Sequence, residues 1–308
     1  MEKSNETGEF ILKGFPGSHV LHTAMFMILL LVLFVTLAGN VFIITIICSN
    51  YCLHTPMYFF LVCLSFMEII ASCTVLPNLL FILITRRSSI SRAGCFIQSY
   101  IYYFVSMTDF LILTVMSFDR YLAVCSPLRY TSIMRNQVCI KLVSFCIITT
   151  FLFLLYPTII TPRLPYCHHV IDHFICESAA ILKLVCVDIT FLILNTIIVS
   201  VFLLIGCLIV TTISYILIVL TVVRMPSDVG RQKTFSTCLS HLIMLSIVFG
   251  SAIFIEIRPP HKYSVETDKM VNLVSTVLGP LLNPFIYTLR NEKVKECIKD
   301  TVRRRTVF

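Results

Sequence analysis

The chain alternates long apolar runs with short polar breaks, and the length of the runs decides its class. Bounded by charges, prolines or polar clusters, seven apolar segments emerge at about 24 to 48, 57 to 84, 95 to 124, 139 to 160, 190 to 223, 235 to 257 and 269 to 289. A hydrocarbon layer about 30 Å thick needs roughly 20 mainly apolar residues per spanning helix, and each run meets that length. Continuous runs predict helices, since a membrane barrel would show strands of about ten residues with alternating polarity. The pattern predicts an all-α membrane protein, a bundle of seven transmembrane helices with its two ends on opposite sides. After the seventh run, RNEKVKECIKD places Val294, Cys297 and Ile298 at spacings of three and one, which predicts a short amphipathic helix on the membrane surface.

No internal repeat, low-complexity tract or linker divides the chain, so 1–308 is read as one domain. The polar, mostly acidic start MEKSNETGEF lacks the order of a cleavable signal peptide, so the first helix is expected to act as the insertion signal. Charge orients the bundle weakly. With the N-terminus outside, the outer segments hold 10 Lys plus Arg and the inner ones 13, leaving out Arg120, and seven of the 13 lie in the tail. Two features point the same way. Asn5-Glu6-Thr7 is a glycosylation sequon usable only on a luminal N-terminus, and Cys95, Cys167, Cys176 and Cys186 then fall in the oxidising compartment. Residues 1–23 become the extracellular N-terminus, 24–289 the bundle and 290–308 the cytoplasmic tail.

Composition agrees: 57% of residues are apolar and 13% charged, far from a soluble domain. The net charge of +8 does not suggest nucleic acid, because the charges sit at membrane edges beside lipid and form no basic stripe with interleaved aromatics. The loops are short except 161–188, TPRLPYCHHVIDHFICESAAILKLVCVD, which is long, polar and Cys-rich enough to fold over the outer mouth as a lid. Within it, His, Cys and Glu of HFICE (His173 to Glu177, with His168 and His169 nearby) have metal-ligand chemistry, unless Cys176 is oxidised and has no thiolate to give.

Ionisable and amide side chains inside spanning helices are costly, roughly 2.5 to 3.5 kcal/mol per charge on insertion scales, so each is a functional candidate. Asn40, Glu68, Asp109 and Asn283 are the set expected to meet at mid-depth. Two carboxylates in low dielectric need a shared proton or a cation between them, so the set is a candidate sodium or proton site; interhelical hydrogen bonding by a protonated acid is the plainer reading. Asp119 and Arg120 differ, because they come at the end of their helix just before Pro127. Arg is long enough to fold back on its neighbour's carboxylate, which reads as a latch that can open or as a static ion pair.

Taken together, GN at Gly39 and Asn40, LHTPMYFFLVCLSFME from Leu53, MSFDRYLAVCSPLRY from Met116, SY at Ser214 and Tyr215, KTFSTCLSH from Lys233 and PLLNPFIYTLRN from Pro280 resemble the rhodopsin-like (class A) G protein-coupled receptors, and more narrowly the olfactory receptors. The pieces touch every predicted helix except the fourth. The resemblance implies a receptor for small, largely hydrophobic volatile ligands. It implies coupling to a stimulatory, olfactory-type heterotrimeric G protein that raises cyclic AMP, and a place in the plasma membrane of olfactory sensory neuron cilia. It gives Asp119, Arg120, Tyr215, Asn283, Pro284 and Tyr287 the switching roles, and it pairs Cys95 with Cys176 and Cys167 with Cys186, where four cysteines alone allow three pairings. The other ten, Cys63, Cys73, Cys146 and Cys207 among them, read as small buried hydrophobes, and Cys297 is a candidate for palmitoylation.

By the same analogy the ligand site lies in the outer half of the bundle. Helical spacing selects Tyr102, Tyr103, Ser106 and Met107 on the third helix, and Val199, Ser200 and Leu203 on the fifth. Phe249, Ala252, Ile253 and Glu256 follow on the sixth, with Leu273 and Thr276 on the seventh. The set is apolar with scattered hydroxyls, which suits binding by shape and one or two hydrogen bonds. The chain departs from the family at Phe249 and Glu256, where tyrosines are common, at Phe118 in MSFDRY and at Glu68, where Asp is more usual. Glu256 either meets a ligand or pairs with a cation such as Arg258 or Lys262.

Two other classes fit less well. A transporter should show repeat symmetry or matched Gly and Pro breaks, and nine Gly with no repeat show neither. An enzyme is disfavoured, since no HExxH, GxSxG or phosphate loop is present. Within the receptors, a non-olfactory class A receptor for a small amine or lipid-like ligand is the alternative.

Overall fold

A computed structural model describes residues 8–86, 88–225, 228–257 and 265–289, together with Val294 and Cys297. Seven long helices cross the molecule: α1 (His19–Ser49), α2 (Pro56–Thr85), α3 (Arg92–Cys125), α5 (Asn136–Ile160), α7 (Thr190–Val223), α8 (Asp228–Ile257) and α9 (Val265–Leu289). Two shorter ones, α4 (Pro127–Ile133) and α6 (Ser178–Leu182), lie in the connections. The predicted spans fall inside these helices, several of which begin some residues earlier. α1, α2, α3, α7 and the stretch Asn136–Arg163 are long and apolar enough to cross a membrane, and α8 carries the shorter apolar stretch His241–Phe254.

Helix ends follow local chemistry. Ser18 Oγ accepts the Leu21 N–H at the start of α1, and Ser91 Oγ accepts the Gly94 N–H at the start of α3. Pro56 and Pro127 stand at the first positions of α2 and α4, where a missing N–H costs nothing. Little of α7 is buried, and Phe191, Ile198, Phe202 and Val223 are among its exposed apolar side chains. In water that surface would drive aggregation; in lipid it is the solvated face. α3 is the central helix, packed against α2, α5, α7 and α8, while α1 closes the ring against α2 and α9.

The main core joins the inner halves of these helices around Ile43, Phe60, Leu64, Ile112, Leu113 and Met244. A second cluster under the outer mouth brings Leu29, Val75, Leu76 and Leu79 together with Phe15, Phe174 and Ile175 of the outer segments.

The outer cap differs from expectation. The long loop does fold over the mouth, but the N-terminal segment joins it. β1 (Glu9–Leu12) lies between β2 (Ser89–Ser91), antiparallel, and β3 (Val170–Ile171), parallel, in a three-stranded sheet. Phe10 and Leu12 are fully buried, and Phe10 meets Phe96 and Tyr166 edge to face. Burial alternates along EFIL, but polarity does not, since Ile11 is exposed and apolar, so four residues give no periodic signal to separate a strand from a disordered leader.

The cysteines correct one reading. Cys139, Cys146, Cys207 and Cys238 are buried, but Cys73 and Cys48 are exposed, Cys73 on a spanning helix where its weakly polar thiol costs little against lipid. Cys52, after α1, lies beside Cys297, with their Cα atoms 7.1 Å apart. Apart from Val294 and Cys297, the tail lies outside the described residues, as do Asn5 and the cations Arg258 and Lys262.

Candidate functional site

Three polar constellations run down the bundle. At the outer end, Cys95 near the start of α3 is bonded to Cys176, and Cys167 to Cys186 beside the bridge between Tyr166 and Val185. Gln98 reinforces the first link: its Oε1 accepts the Cys176 N–H at 3.2 Å while its Nε2 donates to the Thr74 carbonyl at 3.0 Å, tying loop, α3 and α2 together. Oxidised Cys176 cannot serve as a thiolate ligand, and no group of three or more His, Cys, Asp or Glu side chains placed to hold a metal ion occurs among the described residues. The HFICE metal reading is therefore set aside.

The predicted ligand-site residues take two levels. Tyr102 and Tyr103 stand edge to face. Tyr102 Oη lies 3.4 Å from Thr276 Oγ1, joining α3 to α9, and Tyr103 Oη donates to Glu177 Oε1 at 3.3 Å and accepts the Ser178 N–H at 3.3 Å. Glu177, by sequence a metal-ligand candidate, instead caps α6, its Oε2 accepting the Ala180 N–H at 2.8 Å. Leu273 turns into the cluster of Leu29, Val75 and Leu76, with Tyr102 packed against it. Deeper, Phe249 meets Phe110 edge to face at 5.3 Å, and Leu203 packs on the same core. Ser106, Met107, Val199, Ser200, Ala252 and Ile253 are half-buried. The side chain of Glu256 lies outside the described residues.

Over this level the loop is fastened by charge. Lys269 of α9, 2% exposed, donates to Asp172 Oδ1 at 2.8 Å, and Lys13 approaches Asp172 Oδ2 at 3.6 Å. The Lys269 hydrogen bond, more than the general field of the two ammoniums, holds the Asp172 carboxyl below its usual range. Neither lysine was singled out in the sequence, because outer charges at membrane edges read as solvated.

At mid-depth, Pro284 has no N–H to give the carbonyl four residues back, and Asn40 Nδ2 fills that gap by donating to Pro280 O at 3.1 Å, as well as to Thr36 O at 3.0 Å. Gly39 allows the approach, since a Cβ there would lie 2.9 Å from the Pro284 ring. The GN pair is thus a fitted seat for the bend of α9. Asn283 Nδ2 donates to Glu68 Oε1 at 2.7 Å, and Asp109 is an electrostatic neighbour of Glu68. Asn40 Oδ1, Ser65 Oγ, Glu68 Oε2, Asp109 Oδ1 and Asn283 Oδ1 are all buried without a hydrogen-bond partner. Five unfilled oxygens, from two acids, two amides and a serine, have the donor chemistry of a hard cation or a shared proton.

At the inner end, Asp119 is fully buried, and Arg120 donates to its Oδ2 through Nη2 at 2.6 Å and Nε at 3.2 Å. Arg120 reaches back to its sequence neighbour as its length allows. The other oxygen, Oδ1, accepts the hydroxyl of Tyr130 on α4 at 2.7 Å. Burial first, then the Asp119 carboxylate, keeps that phenol protonated by pushing its pKa up. Sequence reasoning missed Tyr130, because the chain breaks its helix at Ser126 and Pro127 and no periodicity carries across. Tyr215 Oη sits 2.6 Å from His241 Nδ1, bridging α7 and α8. Side-chain positions at Tyr287 lie outside the described residues.

The comparisons fit this arrangement. The sequence profile described as "Olfactory receptor" matches residues 27–305. The chain is 42% identical to Olfactory receptor 6S1 of Homo sapiens over 303 residues, covering 98% of the chain and 92% of that protein. It is 44% identical to Olfactory receptor 6J1 of Homo sapiens over 302 residues, 97% and 87% of the two chains. Olfactory receptor 6E1 of Mus musculus is 39% identical over 304 residues. Among solved structures, squid rhodopsin superposes with a TM-score of 0.73 over 94% of this chain and 82% of its own at 14% identity, a likeness of fold alone. By sequence along nearly its whole length, the chain belongs to the olfactory receptor family, multi-pass membrane receptors of the G protein-coupled class.

Proposed function

We propose that this odorant receptor binds a small, mostly apolar volatile molecule between the outer halves of α3, α7, α8 and α9, and answers through a stimulatory, olfactory-type G protein that raises cyclic AMP in the cilia of olfactory sensory neurons. The observation that carries the reading is the closed inner latch. Arg120, bound to buried Asp119, is a cation withheld from the cytoplasmic face, and a ligand preferring a state with Arg120 released shifts the population by its difference in affinity. The ligand site supports the substrate class: apolar side chains with the hydroxyls of Tyr102, Tyr103, Ser106, Ser200 and Thr276 favour shape and one or two hydrogen bonds over charge. Glu256 extends the site if it faces the ligand.

The mid-depth oxygens of Asn40, Glu68, Asp109 and Asn283 hold a sodium ion or a shared proton in the inactive state. Sodium bound there stabilises that state, so raising sodium in place of choline lowers basal signalling in receptor-containing vesicles, and Asp109→Asn removes the effect. An unchanged sodium response in Asp109→Asn retires the cation.

A cyclic AMP reporter in cells expressing the full chain with the olfactory G protein, screened against a chemically diverse odorant panel, tests the whole. A response to a narrow set of apolar odorants, lost in Arg120→Ala, is expected. Silence toward every class from receptor at the cell surface overturns it.

A further inference from the structure

We propose that the outer mouth holds a carboxylate site anchored by Lys269, so that the odorants taken by this receptor include medium-chain aliphatic acids. The inference rests on the odorant site proposed above and names a ligand class for its upper end. Lys269 is 2% exposed, and among the described residues its Nζ donates one hydrogen bond, to Asp172 Oδ1 at 2.8 Å. An ammonium carries three N–H donors, so two are left for another acceptor. A buried cation with unused donors is costly, and a second carboxylate removes that cost.

The charge count points the same way. Lys13 and Lys269 share the single carboxylate of Asp172, Lys13 at 3.6 Å, which sets two positive charges against one negative. A second carboxylate balances the group, and Asp172 shows that Lys269 takes one at hydrogen-bonding distance. The lid backbone does not have to open for it. Ile171 and His173 on either side of Asp172 are buried, and Cys176 is bonded to Cys95, so the chain stays fixed while the Asp172 side chain, 46% exposed, makes room.

Below the ammonium, α9 supplies an apolar strip. Lys269, Leu273 and Thr276 stand at i, i+4 and i+7 on one face of the helix, and a rise of 1.5 Å per residue sets Lys269 about 10 Å above Thr276. Leu273 belongs to the cluster with Phe174, Tyr102 packs against it, and Thr276 Oγ1 meets Tyr102 Oη at the lower end. An ammonium above such a strip fits an alkyl carboxylate whose chain runs down the helix. A primary amine in the same place meets two charges of its own sign.

The test is equilibrium binding of radiolabelled octanoate and octan-1-ol to the full-length receptor in nanodiscs, with counts from empty nanodiscs subtracted, beside the cyclic AMP reporter in cells. Octanoate should bind about tenfold more tightly than octan-1-ol, the worth of a hydrogen bond between charged groups. Lys269→Gln should remove that preference while octan-1-ol stays within about twofold, and Lys269→Arg should keep it. The double variant Lys269→Gln with Asp172→Asn strands no carboxylate, so it reads the same loss in a lid free of that charge. Asp172→Asn alone should tighten octanoate several-fold, because both ammoniums then turn to the ligand; a clamp that is structural only leaves octanoate unchanged or weaker. Octanoate that fails to bind, binds no more tightly than octan-1-ol, or keeps its affinity in Lys269→Gln overturns the site. Octan-1-ol that binds and signals where octanoate does not overturns this inference and leaves the odorant reading standing. Octanoate that binds through Lys269 without raising cyclic AMP upholds the site and counts against the coupling.

Discussion

Arg120 and Tyr130 divide the two oxygens of one buried carboxylate, and each has a separate consequence. Arg120→Ala should abolish G-protein signalling while odorant binding stays within a few-fold of wild type, measured by reporter output against direct ligand binding. Tyr130→Phe removes a hydrogen bond to a charged acceptor, worth about 1.5 to 3 kcal/mol, and leaves Asp119 Oδ1 without it. Raised basal cyclic AMP at equal surface expression is expected, and a basal level equal to wild type would show that the bond is structural only. Gly39→Ala drives a methyl to 2.9 Å from the Pro284 ring, so overpacking should cost roughly 1 to 3 kcal/mol, seen as a lower melting temperature in detergent. Gly39 and Asn40 could be picked out of the sequence as a pair, but their partners, the ring and freed carbonyl of a helix some 240 residues on, could not.

The elements that cover the outer mouth were only half legible. Length and polarity marked 161–188 as a lid, since no simple turn needs so many residues. That β1 threads between the lid and the approach to α3 depends on pairings 80 and 160 residues apart in sequence, on which a four-residue strand carries almost no signal. The charge clamp belongs to the same scale. Asp172 is held below the usual carboxylate range, so the folded state favours its ionised form. The clamp's contribution is then full above a pH of about 4 and is lost as pH falls through the lowered value. Protection factors for amide exchange across the lid, taken against the intrinsic rate at each pH, should therefore be flat from about pH 7 to 5. Asp172→Asn should lower them throughout, because the 2% exposed Lys269 ammonium loses the carboxylate it points to. Exchange unchanged by Asp172→Asn would mean that the two disulfides hold the lid alone.

For the molecule as a whole, the disulfide from Cys95 to Cys176 closes 81 residues of chain and joins lid to bundle. On chain entropy such a loop is worth about 4 kcal/mol, so Cys95→Ser should sharply reduce folded receptor at the surface while leaving transcript levels alone. Full surface expression of Cys95→Ser would show that Gln98 and the sheet suffice. The sequence by itself determined the membrane class, seven helices and their order, because twenty-residue apolar runs have one stable answer in lipid. It also marked the polar residues that lipid makes expensive, from Asn40 to Asn283, since nothing cheap would keep them there. Only the tertiary structure decided their partners: Asn40 to the carbonyl that Pro284 frees, Tyr130 to Asp119, Tyr215 to His241, Lys269 to Asp172. Each pair is set by how helices distant in sequence rotate and approach, and a one-dimensional pattern records which face of a helix is polar but not which neighbour that face will meet.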